Sequence, residues 1–272
     1  GQAPEEFTIC ISGPSYPADA TWPQIDACKT WSLADLVANQ TKTWNNLLPG
    51  DYTVSEQDPG GEWHVAIAGT NPVPVEPGSA PTAPNVTVTN TRIIPLVVEK
   101  EGSGTYDKAW TVDKITTTPT INLPDDGTGQ AEYEVTITSS IVNVQASGTI
   151  TVTNPEGNPV DAVVESIDDA GVQFSNCTPL PDGTTADYSV VGTVAFTPAL
   201  ALGPGESVTC DYTIPGLTGT DTQGVRNTAA AVVTEDSDVP GASSSTIDIS
   251  FTSNGPDSVD LEDVFDGGAP VS

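Results

Sequence analysis

Apolar residues in this chain recur at every second position over short runs, and almost nowhere at helical spacing. In FTICI, Phe7, Ile9 and Ile11 share one face of an extended segment. In WNNLLPGDYTVSE, the apolar step Leu47–Leu48 runs into a Pro49–Gly50 turn. There Tyr52 and Val54 then alternate with Asp51, Thr53 and Ser55. EWHVAIAG, NVTVTNT, AWTVDKI, AEYEVTITSS, SGTITVTNPEGNPV, ESVTCDYTI, VRNTAAAVV and STIDISF each read as a strand. Turn signals such as PDDGTG, NPEGNP and LGPGES separate them. The nearest approach to a helix is a turn or two around Ser32–Ala38. The pattern predicts an all-β protein. No apolar run approaches 18 residues, so no membrane insertion is expected.

These strands divide into two tandem β-sandwich domains. Residues 1–92 form the first, with a long loop that carries Cys28 back toward the first strand. Residues 93–104 read as a connector whose first half is apolar (Ile93, Ile94, Leu96, Val98), with Pro95 barring a fully paired central strand. Residues 105–253 form the second sandwich. Residues 254–272 are an acidic tail in which Val259 and Leu261 alternate with Asp260 and Glu262 before Val264 and Phe265. The connector and this tail are the expected assembly segments, the tail by adding a strand to a neighbouring copy.

Charge narrows the partners. With 37 acidic and 7 basic residues the net charge is −30. No basic patch can displace phosphate counterions, which excludes nucleic acid. Four cysteines fall as two spaced pairs without metal-ligand spacing, and one histidine cannot complete a zinc site. We expect disulfides Cys10–Cys28 and Cys177–Cys210 in an oxidising compartment; three connectivities exist for four cysteines, and four buried thiols are the alternative. Methionine is absent even at position 1, which leads us to expect removal of a secretion signal and an extracellular or cell-surface location.

The Leu48-Pro-Gly-Asp-Tyr-Thr-Val-Ser-Glu56 segment is similar to transthyretin-like modules of microbial surface proteins, of the Cna protein B-type and SdrD B-like kinds. The later strands resemble the immunoglobulin-like "conserved repeat" modules of cell-surface proteins over most of residues 109–251, through a lysine-bearing first strand, a VTNP turn and a late N-x-A strand. The Cna resemblance implies chemistry as well as fold, because such modules often join a first-strand lysine to a last-strand asparagine under a catalytic glutamate. Glu56 and Asn90 fall where that pattern places its acid and amide, but FTICI has no lysine, so the bond is expected to be missing from the first domain. In the second domain Lys114, Asn227 and Glu134 are the candidate set; the alternative is an exposed lysine and a turn-capping asparagine.

Oxygen-rich turns at Asp125–Asp126, Asp168–Asp169, Glu235–Asp236–Asp238 and Asp257–Asp266 (Asp257 and Asp260 foremost) are candidate Ca²⁺ ligands, though none has EF-hand spacing and solvated turn residues are the simpler reading of each. Enzymatic chemistry is not expected: His64 is the only imidazole and no serine stands in a G-x-S-x-G frame. Trp22, Trp31, Trp44 and Trp63, with Tyr16, could stack on surface glycans or simply fill the first domain. Asn39, Asn85 and Asn176 occupy glycosylation sequons. Together these point to a non-enzymatic structural subunit of an extracellular filament or stalk, assembling head to tail with copies of itself. A surface adhesin with a glycan-binding first domain is the alternative.

Overall fold

The alternation seen in the sequence becomes a burial pattern in the computed structural model, which describes residues 6–18, 25–38, 40–78, 86–118, 120, 122, 125, 127 and 131–262. The chain is nearly all-β, with 55% strand and 3% helix. Among the described residues no helix is long and apolar enough to cross a membrane.

The N-terminal portion contains β1 (Glu6–Ser12), β2 (Cys28–Ser32), a short α1 (Leu33–Val37), β3 (Gly50–Glu56), β4 (Trp63–Gly69), β5 (Val73–Val75) and β6 (Val86–Arg92). β2, β1, β3 and β5 form one antiparallel sheet, and β4 and β6 form a two-stranded partner. Ser32 caps α1 with a reciprocal Ser32–Asp35 capping box, which ends β2 and starts the helix in one step. Gly50 enters β3 at φ 138°, a conformation that favours glycine, and so lets the Pro49 turn feed directly into the strand. Tyr52 is buried, with its hydroxyl 3.0 Å from the Leu48 carbonyl and accepting from the Ser15 N–H at 3.0 Å.

The rest comprises β7 (Val97–Thr116), β8 (Tyr133–Thr153), β9 (Ala162–Asp168), β10 (Gln173–Thr178), β11 (Thr185–Asp187), β12 (Thr193–Leu202), β13 (Ser207–Thr213), β14 (Val225–Asn227), β15 (Ala230–Val233), β16 (Ala242–Ser243), β17 (Ile247–Ile249) and β18 (Phe251–Ser253). Two five-stranded sheets, β10-β13-β8-β7-β18 and β11-β12-β9-β15-β16, enclose a core that includes Ile150, Val164, Ile167, Phe174, Val208 and Ile249. β14 and β17 pair separately.

The connector expected at residues 93–104 belongs to this core instead. β7 begins at Val97, and Ile93, Leu96 and Val98 are buried within the chain's own cluster, so they are not free for assembly. Pro95 lies just before β7, where its missing N–H costs no ladder bond. Ile94 is exposed. In the tail, Val259 and Leu261 are exposed and lie outside any strand; Val264 and Phe265 lie outside the described residues.

Both expected disulfides are present. Cys10 faces Cys28 directly across the β1–β2 ladder, and Cys177 faces Cys210 across β10–β13. No described cysteine is free, and the bonds indicate an oxidising environment.

Candidate functional site

On β7, Val98 and Lys100 point inward while Val97, Glu99 and Glu101 point out. The inward phase therefore carries a lysine into an apolar core. The Lys100 and Asp169 side chains both have 0% exposure, and Lys100 Nζ is hydrogen-bonded to Asp169 Oδ2. The Tyr212 ring lies 4.4 Å from the same nitrogen, and its hydroxyl donates to the Glu101 carbonyl at 3.0 Å. Asp169 sits just past the end of β9, held by its N–H to the Gly192 carbonyl at 2.7 Å. Asn227 closes β14, where its Oδ1 accepts from the Thr228 N–H at 2.7 Å, and its side chain is near enough to Asp169 to act on that carboxyl's pKa. Asp169 Oδ1 is buried with no hydrogen-bond partner.

Burial dominates the electrostatics. It lowers the Lys100 pKa and raises that of Asp169, each partly opposed by the other's charge; Asn227 also opposes the rise at Asp169. Both shifts favour a neutral amine beside a protonated carboxyl. Burial, with the Asp169 charge second, pushes the Tyr212 phenol up to about 12, so it stays a neutral wall. A neutral amine, a protonated acid and a carboxamide form a set for aminolysis. The amine is the nucleophile, the carboxamide is the electrophile, and the acid carries the proton to the departing nitrogen.

The expected set was Lys114, Glu134 and Asn227. Only Asn227 lies in this cluster. Lys114 is opposite Val135 on β7–β8, whereas Glu134 is opposite Ile115 and so projects from the other face. Lys114 Nζ instead lies 4.4 Å over the Tyr133 ring. Sequence reasoning missed Lys100 and Asp169. The available signal was phase: Leu96, Val98, Lys100, Gly102 and Gly104 alternate. A Cβ on Gly102 would come within 2.3 Å of Tyr212 Oη, and one on Gly104 within 2.2 Å of the Phe251 ring, so both glycines mark the tightly covered face that holds Lys100.

A second acid–amide pair lies in the N-terminal portion. Asn90 on β6 donates from Nδ2 to Glu56 Oε1 at 2.9 Å. Glu56 Oε2, Asn90 Oδ1 and Trp63 Nε1 are buried without partners. Burial raises the Glu56 pKa, opposed by the Asn90 bond. Ile9 is directly opposite Glu56 on β1, so an apolar side chain stands where an amine would complete the set. Phe7 meets Trp63 edge to face at 5.2 Å. Beside them is an apolar groove of about 400 Å³ whose lining includes Trp31, Leu33, Leu36 and Asn90.

The other expected sites are not brought together. Among the described residues no three His, Cys, Asp or Glu side chains gather to hold a metal. Asp125, Glu235, Asp236, Asp238 and Asp260 are exposed, Asp257 pairs with Lys108, and Asp126 and Asp266 lie outside the described residues. Asp169, expected in an acidic turn, belongs to the buried cluster. The Trp44 indole donates to the Ala27 carbonyl and Trp31 to that of Gln40; Trp22 lies outside the described residues. Asn176 donates to Asp211 at 3.0 Å, and Asn39 and Asn85 lie outside the described residues. In comparison with known proteins, the chain matches no protein-family model and no curated protein.

Proposed function

We propose that this chain is a non-enzymatic structural subunit of an extracellular filament or cell-surface stalk, and that its C-terminal sandwich is locked by an amide bond between Lys100 and Asn227 with Asp169 as the catalytic acid. One observation carries the reading: the amine and the acid of the set are sealed, with Lys100 and Asp169 at zero side-chain exposure. A substrate has no route to these groups, so their chemistry acts on the chain itself and serves its durability.

The chemistry balances. Lys100 Nζ attacks Asn227 Cγ, Asp169 relays a proton to Nδ2, the Cγ–Nδ2 bond breaks, and ammonia leaves. The product ties β7 to β14, a strand outside both five-stranded sheets, and the two disulfides tie neighbouring strands. Such cross-links suit a part that bears load or meets proteases. The strongly acidic surface keeps single copies soluble before assembly. Glycan binding gains less support, because the Trp31 and Trp44 indoles are already bonded to the chain's own backbone.

Negative-stain microscopy of the purified chain at high concentration tests the assembly. Head-to-tail filaments are expected; a monodisperse monomer contradicts the reading.

A further inference from the structure

Beyond Tyr106 on β7 and before Ser147 on β8, the two strands lose their outer neighbours. Among the described residues β18 pairs only with Gly104–Tyr106, and β13 only with Ser147–Thr153. The stretch 107–116 therefore ladders with 133–142 alone, as a two-stranded ribbon that runs on for about 30 Å. Its departure from the sandwich is built in. The register slips between Thr105 and Asp107, where Asn143 takes φ 52° and donates from Nδ2 to Asp107 at 2.8 Å. An irregularity of this kind re-aims a strand. A ribbon of two strands is marginal in water, and a third strand with an apolar face stabilises it. Here the face is present and the strand is missing. Val112 with Ile137, Lys114 with Val135, and Thr116 with Tyr133 share one side. Val112 and Tyr133 are each 52% exposed there, and Val135 and Ile137 each 40%. An apolar stripe beside an unpaired edge is a template for an added strand. Charge favours the same place. The ribbon's two stretches carry three acids and two lysines, a net −1 in a chain of −30, so copies repel one another least there.

The tail supplies the complementary segment. From Ser258 to Glu262, Val259 and Leu261 alternate with Asp260 and Glu262. In its own copy the tail approaches the ribbon and then leaves it. β18 runs parallel to β7, the Asn254 N–H donates to the Tyr106 carbonyl at 2.8 Å, and Asp257 pairs with Lys108. Between them the chain turns away from the edge. Ser253 Oγ donates to the Gly255 carbonyl at 3.0 Å and accepts from the Gly255 N–H at 3.3 Å, and Pro256 has no N–H with which to continue a ladder. Ser258–Glu262 consequently lies in no strand, with Val259 37% and Leu261 42% exposed. The segment and the ribbon edge are thus both left unpaired within one copy.

We propose that Ser258–Glu262 of one copy adds as a third strand to the ribbon of a second copy, along the open edge of β7 beyond Lys108. Backbone hydrogen bonds hold the added strand, and Val259 and Leu261 extend the apolar stripe beside Val112. The Lys108–Asp257 pair within one copy already sets a tail acid against a ribbon lysine. The contact is heterologous, tail to ribbon, so it can repeat from copy to copy. It rests on the head-to-tail reading above and names the interface that reading needs.

The test is sedimentation velocity of the purified full chain over a range of concentrations, in high salt to screen the repulsion between copies. Wild type should give species of two or more copies. Leu261→Asp spoils the tail and Val112→Asp spoils the ribbon. Both positions are exposed in the single copy, so each variant should fold, and each should sediment as one copy. Mixed in equal amounts, the two variants should form pairs and nothing larger, because one intact tail then meets one intact ribbon. Association retained in either variant alone overturns the proposal. A mixture that stays at single-copy mass also overturns it, since no tail is then taken up by a second copy. Filaments that persist in micrographs of Leu261→Asp overturn this contact and spare the filament reading. Wild-type chains that stay single and give no filaments overturn both.

Discussion

Lys100 and Asp169 meet in the core with no exposed side-chain surface between them, and Asn227 lies near enough to oppose the rise in the Asp169 pKa. An ion pair in such a place is a poor source of stability, because desolvation offsets the attraction. The arrangement makes physical sense as a reaction site whose charge disappears when the amide forms.

Asp169→Asn and Asn227→Ala should each abolish the bond and lower the unfolding midpoint. The cross-link closes the chain between positions 100 and 227, and for a loop of at least about 100 residues the chain-entropy model gives about 5 kcal/mol. Asp169→Asn should lose a further amount, on the order of 3 kcal/mol, by leaving the Lys100 amine buried without its acid. Denaturant unfolding monitored by tryptophan fluorescence, paired with intact mass, checks both. Full stability in Asn227→Ala would count against a cross-link.

Glu56 gives a pH signature. Its folded pKa is raised, so the folded state holds this proton more tightly than the unfolded chain. Its contribution to stability is complete below the unfolded value of about 4.3 and is lost as pH rises through the folded value. Glu56→Gln removes that loss. The stability of the variant relative to wild type should therefore climb with pH across this window and then level off. Urea unfolding at a series of pH values reads it, and a flat difference would show that Glu56 is not desolvated.

Ile9→Lys should install the amine missing from the N-terminal site. Ile9 stands opposite Glu56, which already holds Asn90. The monomer should lose one ammonia more than wild type, with the new linkage mapping to Asn90. An unchanged mass in a folded variant would mean that the acid–amide pair is not competent.

The disulfides should matter unequally. Cys177–Cys210 spans 33 residues and Cys10–Cys28 spans 18, for which the loop model gives roughly 3.7 and 3.2 kcal/mol. Cys210 is fully buried against the main core. Replacing the pair Cys177/Cys210 by alanine should lower the thermal midpoint more than replacing Cys10/Cys28. Equal shifts would argue that the two loops are already restrained by other means.

Much of the fold was legible because inward and outward residues alternate at period two. Phe7 and Ile11, Tyr52, and Val208, Cys210 and Tyr212 all sit inward on their strands. The two cysteine pairs are visible in the sequence, but the connectivity is fixed by the ladders that set Cys10 opposite Cys28 and Cys177 opposite Cys210. The reactive set was legible only in part. Lys100 is flanked by Glu99 and Glu101, so the local run reads as a charged linker, and Pro95 reinforced that reading. Asp169 looked like one of two acids in an ordinary turn, because nothing local to Asp168–Asp169 reports which carboxyl points into a core built by distant strands. Asn227 stands in a strand that the alternation makes recognisable. Lys114 and Glu134 fall on opposite faces because a strand of 20 residues, half in the sandwich and half beyond it, exceeds the usual length and hides where the core ends.

The most direct test of the account is the intact mass of the purified, unreduced chain under denaturing conditions, followed by mapping of the linked peptide. The account predicts a mass one ammonia below that of the chain with two disulfides, and a peptide joining Lys100 to Asn227. A mass equal to that of the plain disulfide-bonded chain would contradict it.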